Sequence, residues 1–246
     1  MSSPALESTT AAPALLAAAG ICAGYGKSQV LEDVSISVAA GEVVSVLGHN
    51  GAGKTSLLKT LFGILRPSAG TVLLDGSEIT NRAAFRRVQD GMVFSPADAA
   101  VFGKLSVADN LALGAFSITD RTLVKERLDY VIETFPIIEG RLALRAGTLS
   151  GGERRMVSLG MALMARPKVL LLNEPSNGIA PAVVERIFGK VRQLARDNQM
   201  AVVLVEQNVR AALRVSDRAY FLRHGKVILE ETAEVALARG QWWDLF

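Results

Sequence analysis

A single cysteine, Cys22, is all the chain offers for disulfide chemistry, so an intrachain disulfide framework is excluded and a reducing compartment suits the sequence. Cys22 itself reads as a small apolar strand residue. No apolar run reaches the ~18 residues that cross a bilayer, so any membrane passage falls to other chains. The Ala-rich stretch over 11–23 lacks a basic segment before it and follows Glu7, which argues against a secretory signal. No Lys/Arg block accompanies the net charge of +3, so neither nucleic acid nor an anionic membrane surface is indicated as the principal partner. There is no internal repeat, and no low-complexity tract beyond the Ala-rich start. Apolar material is plentiful: 50% of the 246 residues are hydrophobic, enough for one sizeable core or a core with a subdomain.

The pattern along the chain predicts an α/β fold. Residues 1–13 read as a disordered tail. Residues 14–38 carry antiparallel strand material, with alternation at Val34, Ile36 and Val38, and Ala40-Gly41-Glu42 turns the chain into the apolar run 43–47. Residues 70–76 form another short strand closed by a turn. The runs 169–172 and 201–205 are short, continuous and bounded by polar residues, as in a parallel sheet covered on both faces. Between them, 181–196 has helical spacing. From about 98 to 148 the pattern turns helical, notably over 107–113 and 123–135. This reads as a helical subdomain inserted into a core of residues 14–97 and 149–232, within one domain over 14–240. His224 falls in Arg223-His224-Gly225-Lys226, a hairpin turn. The tail Gln241-Trp242-Trp243-Asp244-Leu245-Phe246 is apolar and either packs back on the core or meets a partner.

The segment Gly48-His49-Asn50-Gly51-Ala52-Gly53-Lys54-Thr55 fits G-x-x-x-x-G-K-[ST], the loop that cradles the phosphates of a nucleoside triphosphate. It follows a strand-length apolar run and precedes a helix over 56–62 ended by Gly63, the context the motif requires. Its glycines let backbone N–H groups converge on phosphate, and the helix N-terminus adds positive dipole. Lys54 is expected on the β- and γ-phosphates and Thr55 on Mg²⁺, with Ser56 completing the nucleotide-binding set.

A second motif, Leu149-Ser150-Gly151-Gly152-Glu153, opens a helical stretch that ends near Ala165. Ser150 and Glu153 have the spacing of a capping box. The two glycines need another reason, because each costs about 1 kcal/mol relative to Ala inside a helix. A helix N-terminus free of side chains suits a closely approaching phosphate.

Together the two motifs resemble the ATP-binding subunit of ATP-binding-cassette (ABC) transporters over about residues 15–235. The resemblance implies a P-loop NTPase core with a mainly parallel sheet, an N-terminal antiparallel β subdomain and the inserted helical subdomain. It implies two such domains packed head to tail, with Ser150, Gly151, Gly152 and Glu153 meeting ATP held by a second ATPase subunit. Tyr25 matches the aromatic residue that stacks on adenine, or is a core aromatic at a strand end. Val169-Leu170-Leu171-Leu172 followed by Asn173-Glu174-Pro175 matches the Walker B region, which gives Glu174 the general-base position. Ser176-Asn177-Gly178-Ile179-Ala180-Pro181 and Val205-Glu206-Gln207-Asn208 are most similar to ATPases of branched-chain amino acid, amide and urea importers, where Gln207 takes the switch-histidine position.

Two positions depart from that pattern. Asn173 replaces the carboxylate that holds Mg²⁺ through water, and Ala97 stands where the family has Gln or Glu, with Asp98 one residue on. Losing anionic oxygen near a hard cation weakens metal binding and slows hydrolysis, or else the change is tolerated. The resemblance therefore implies ATP and Mg²⁺ as cofactors and, as partners, transmembrane permease subunits, a second ABC ATPase subunit in a heterodimer or homodimer, and indirectly an extracytoplasmic solute-binding protein. It implies a peripheral protein at the cytoplasmic face of a bacterial inner membrane, with a non-hydrolysing ATP-sensing module as the alternative function. Chromosome and DNA-repair ATPases with the same motifs carry long coiled coil between them, for which this chain has no room and no sustained heptad.

Overall fold

Short apolar runs and amphipathic segments alternate along this chain, and the computed structural model turns them into strands and helices over residues 13–239 and Trp242. Expectations for residues 1–12, and for 240, 241 and 243–246 of the C-terminal tail, lie outside the described residues. In chain order the elements are β1 (Ala14–Tyr25), β2 (Ser28–Ala39), β3 (Val43–Leu47), α1 (Lys54–Phe62), β4 (Ala69–Leu74), β5 (Ser77–Glu78), α2 (Ala84–Gln89) and β6 (Met92–Ser95). There follow α3 (Val107–Gly114), α4 (Arg121–Thr134), α5 (Gly151–Met164), β7 (Val169–Asn173), α6 (Pro181–Asp197), β8 (Ala201–Glu206), α7 (Val209–Leu213), β9 (Arg218–Arg223), β10 (Lys226–Thr232) and α8 (Ala233–Arg239).

The strands form two sheets. One is antiparallel in the order β2-β1-β4-β5. The other runs β10-β9-β3-β8-β7-β6 and is parallel except for the β9–β10 hairpin, whose turn holds His224. The expected fold class thus holds: α/β with a mainly parallel sheet and a separate antiparallel one. Every residue of β3, β7 and β8 is buried, as continuous apolar runs require when both faces of a parallel sheet are covered.

Alternate residues of these strands serve two cores, because successive side chains leave a strand on opposite faces. Leu170, Leu172, Val202 and Leu204 join α3, α5 and α6 on one face. Val169, Leu171, Val203 and Val205 join α1 and the antiparallel sheet on the other. Both helical stretches expected over 107–113 and 123–135 form, as α3 and α4, and bury Leu111 and Val131 in the first of these cores. Helices α2, α7 and α8 are short elements without a strong sequence signal.

Arg87 of α2 is fully buried, and no sequence pattern singled it out. Its guanidinium donates to the carbonyls of Arg82, Thr60, Leu61, Ile79 and Thr80. Two of these are at the end of α1, where a cation satisfies orphan carbonyls and complements the helix dipole. Burial pulls its pKa down to about 10. Trp242 packs back on the core: it is buried, and its indole Nε1 donates to Ala236 O at 2.8 Å.

Candidate functional site

The phosphate loop leaves the C-terminal end of β3, flanked in the sheet by β8 and β9, and runs directly into α1. That helix starts at Lys54, two residues earlier than the periodicity indicated, because Gly53 caps it with φ 105°. Gly48 has no room for a side chain: a Cβ there would sit 2.3 Å from the Leu222 carbonyl oxygen of β9. The loop is closed by Ala52 N–H donating to His49 O at 3.2 Å and Gly225 N–H donating to Ala52 O at 2.9 Å. Asn50, Gly51, Gly53, Lys54, Thr55 and Ser56 line a small cavity of about 170 Å³ with Val30 and Glu174.

Lys54 is 4% exposed, and its ammonium donates to Gly48 O at 2.7 Å and His49 O at 3.0 Å. Glu174 Oε1 lies 3.8 Å away. Burial lowers the Lys54 pKa, opposed by the charges of Glu174 and Glu206. Thr55 Oγ1 donates to Asn173 Oδ1 at 3.2 Å. Tyr25, half exposed at the end of β1, has its hydroxyl 3.5 Å from Ser56 Oγ. The adjacency of β3, β8 and β7 thus brings Lys54, Thr55, Ser56, Asn173 and Glu174 together, with Tyr25 at the rim.

A second cavity, of about 720 Å³, is lined by Ala97, Asp98, Ala99, Gly151, Arg154, Arg155 and the turn Asn177-Gly178-Ile179. Ala97 and Asp98 therefore line the cavity beside α5 and not the one around the phosphate loop. Ser150 caps α5 in a complete capping box: its hydroxyl accepts from Glu153 N–H, while Glu153 Oε2 accepts from Ser150 N–H at 2.9 Å. Hydrogen bonds from Ser150, with Arg141 adding to them, hold the Glu153 carboxyl below the usual carboxylate range.

The two glycines of this motif divide in role. A Cβ on Gly152 would come within 2.9 Å of Val183 Cγ1 on α6, so a side chain there would have to displace Val183. A Cβ on Gly151 would meet only Gly178 O at an ordinary 3.5 Å. Among the described residues, no hydrogen bond joins Ser150, Gly151, Gly152 or Glu153 to the phosphate loop, and Gly151 lines the larger cavity while the phosphate loop lines the smaller one. Gln207, on the turn after β8, is exposed and does not line the phosphate-loop cavity.

In the sequence Glu206 stands only as one residue of the Val205–Asn208 stretch. It is 1% exposed and accepts from Ser176 N–H at 2.8 Å, Ser176 Oγ at 2.7 Å, Gln207 N–H at 3.1 Å and Asn208 N–H at 3.4 Å. Burial pushes its carboxyl pKa up, and these bonds oppose the rise. Its signal was a lone carboxylate closing an otherwise apolar strand. Arg155, 2% exposed, was also missed; it donates to the carbonyls of Pro96 and Ala97 and ties α5 to that loop.

Residues 31–177 match the ABC transporter family. The chain is 40% identical over 222 residues to the high-affinity branched-chain amino acid transport ATP-binding protein BraG of Pseudomonas aeruginosa, covering 90% of this chain and 94% of that one. It is 38% identical over 215 residues to the probable branched-chain amino acid transport ATP-binding protein LivF of Archaeoglobus fulgidus, covering 87% and 91%. Its fold matches the ADP conformation of an ATP-binding cassette of an ABC transporter with a TM-score of 0.84, 25% identity and coverage of 95% and 98%. A phosphate loop of this geometry between β3 and α1, in a fold and sequence so matched, makes the chain an ATP-binding cassette belonging to the ABC transporter family.

Proposed function

We propose that this chain is the ATP-binding subunit of a membrane importer for branched-chain amino acids or related amides. It works at the cytoplasmic face of a bacterial inner membrane, beside transmembrane permease subunits supplied by an extracytoplasmic solute-binding protein. The likeness to BraG and LivF supports this substrate class. No described helix is long and apolar enough to cross a membrane, which fits a subunit that leaves the crossing to partners.

In this reading Tyr25 stacks on adenine, and Gly48, His49, Asn50, Gly51, Ala52, Gly53 and Ser56 wrap the phosphates with backbone and hydroxyl donors. Lys54 exchanges its bonds to Gly48 O and His49 O for the β- and γ-phosphate oxygens. Glu174 polarises the attacking water, and Gln207 takes the switch position. Ser150, Gly151, Gly152 and Glu153 present the α5 N-terminus to nucleotide on a second subunit.

The pair at the Walker B position is neutral: Thr55 Oγ1 and Asn173 Oδ1 face each other, Glu174 is the one carboxylate lining the same cavity, and among the described residues no three potential acidic, His or Cys ligands cluster. These groups fit a weakly held Mg²⁺, with Thr55 as a direct ligand and Asn173 through water, where the ion would neutralise phosphate charge. The single observation that carries the mechanism is this Thr55–Asn173 pair: an uncharged group occupies the Walker B position, so hydrolysis in this chain's own site is slow. An intact Ser150–Glu153 segment still completes the site of a different subunit, which favours a heterodimer.

Steady-state ATPase activity of the chain alone, and mixed with its companion ATPase, tests this beside Glu174→Gln. Activity that arises only on mixing and survives Glu174→Gln is expected; robust activity of the chain alone, lost in Glu174→Gln, would overturn the slow-site reading. A non-hydrolysing ATP-sensing module draws on the same Asn173 and Ala97. Copurification with permease subunits separates the two.

A further inference from the structure

Glu206 ends β8, in register with Leu47 of β3, one residue beyond the pairing of Val205 with Asn173. It therefore stands where the turn after β7 and the turn after β8 leave the sheet side by side. Among the described residues its four donors are all neutral, and they come from both turns: two from Ser176, and the N–H groups of Gln207 and Asn208. A buried carboxylate is expensive to desolvate; the charges of Lys54 and Arg155 offset part of that cost, and a full set of donors supplies the hydrogen bonds it loses from water. Here that set exists only while the two turns stay together.

The turn after β7 needs such a fastener. Glu174 holds a left-handed backbone conformation, φ 46°, which non-glycine residues rarely adopt and keep only when surroundings enforce it. Two attachments to β8 enforce it: Glu174 N–H donates to Val205 O at 2.8 Å, and Ser176, two residues on, is held by Glu206. In that conformation the Glu174 carboxylate lies 3.8 Å from Lys54.

We propose that Glu206 is a positioning residue for hydrolysis: its carboxylate locks the turn bearing Glu174 to the turn bearing Gln207, so that both address the γ-phosphate as one rigid unit. The proposal rests on the roles assigned above to Glu174 and Gln207. A carboxamide cannot replace it, because four donors converge on two oxygens and an NH₂ group would face one of them.

The test uses the full chain with Glu206→Gln, Ser176→Ala, Ser176→Thr and the Glu206→Gln/Ser176→Ala double variant. Three quantities are read: affinity for a fluorescent ATP analogue, amide hydrogen exchange over 174–178 and 207–209, and single-turnover hydrolysis in an Asn173→Asp background. Glu206→Gln is expected to leave affinity within about twofold, deprotect both turns together and slow hydrolysis on the order of tenfold. Ser176→Ala acts in the same direction, Ser176→Thr restores the rate, and the double variant falls no further than Glu206→Gln alone, since both remove one link.

Protection lost in only one turn or in neither, or additive losses in the double variant, overturns the proposal. So does loss of affinity in step with rate. Failure of the Glu174 assignment has a different signature: Glu174→Gln hydrolyses like its parent while the two turns still lose protection together in Glu206→Gln.

Discussion

The Thr55 hydroxyl donates a hydrogen bond to Asn173 Oδ1 across 3.2 Å, and neither partner carries charge. An aspartate at 173 would accept the same bond and add an anion beside the phosphates. Asn173→Asp is therefore expected to raise ATP turnover at least tenfold and to make nucleotide affinity depend more steeply on Mg²⁺. Parallel ATPase assays and ATP titrations with and without chelator check this. Unchanged turnover in Asn173→Asp would show that Asn173 is tolerated.

Gly151 and Gly152 separate packing from function. Gly152→Ala drives a methyl into Val183 and should cost about 1–2 kcal/mol, visible as a lower Tm. Gly151→Ala has ordinary room and gains helix propensity, so Tm should hold or rise. Yet Gly151→Ala is expected to depress the ATPase activity of the mixed subunits, because its methyl covers the α5 N-terminus. Full activity in that variant would remove the phosphate role from this helix end.

Stability should respond to Glu153 at acid pH. Its folded pKa lies below the usual value because the capping bonds from Ser150 favour the ionised form. Its contribution is thus complete above the ordinary glutamate pKa of about 4.3 and is lost as pH falls through the lower folded value. Glutamine can still close the capping box, so Glu153→Gln should flatten this part of the curve. Thermal melts between pH 3 and pH 6 test it; parallel curves for the two proteins would refute it.

Tyr25 is 49% exposed, and among the described residues its side chain makes one long polar contact, to Ser56, so its removal should hardly touch the fold. Tyr25→Ala is expected to weaken ATP about tenfold through lost stacking while Tm stays within about 1 °C. ATP titration beside a thermal melt decides. A large fall in Tm without a change in affinity would make Tyr25 a core aromatic.

Much of the site was legible because its signals are local. The phosphate loop needs glycines, a lysine and a threonine in one stretch, and the capping box needs Ser150 and Glu153 one turn apart, so both could be read before any fold was known. The apolar runs at 43–47, 169–172 and 201–205 likewise announced strands buried on both faces. Helices α2 and α7 were not legible. They are short, and α2 is anchored by Arg87, whose five carbonyl acceptors come from two separated stretches of chain, 60–61 and 79–82.

By itself, then, the sequence determined the phosphate loop, the capped start of α5, the alternation of strand and helix, and membership of the chain among nucleotide-binding cassettes. Those features depend on backbone preferences and spacing within a few residues, which folding does not alter. Only the tertiary structure decided that Thr55 meets Asn173, that Val183 fills the space over Gly152, and that Glu206 gathers donors from two turns. The sheet order β3-β8-β7 brings the loops at those strand ends together across long separations in sequence. A buried carboxylate or amide acquires its meaning from whichever partners that order supplies, because in a low-dielectric interior an unpaired polar group is too costly to keep.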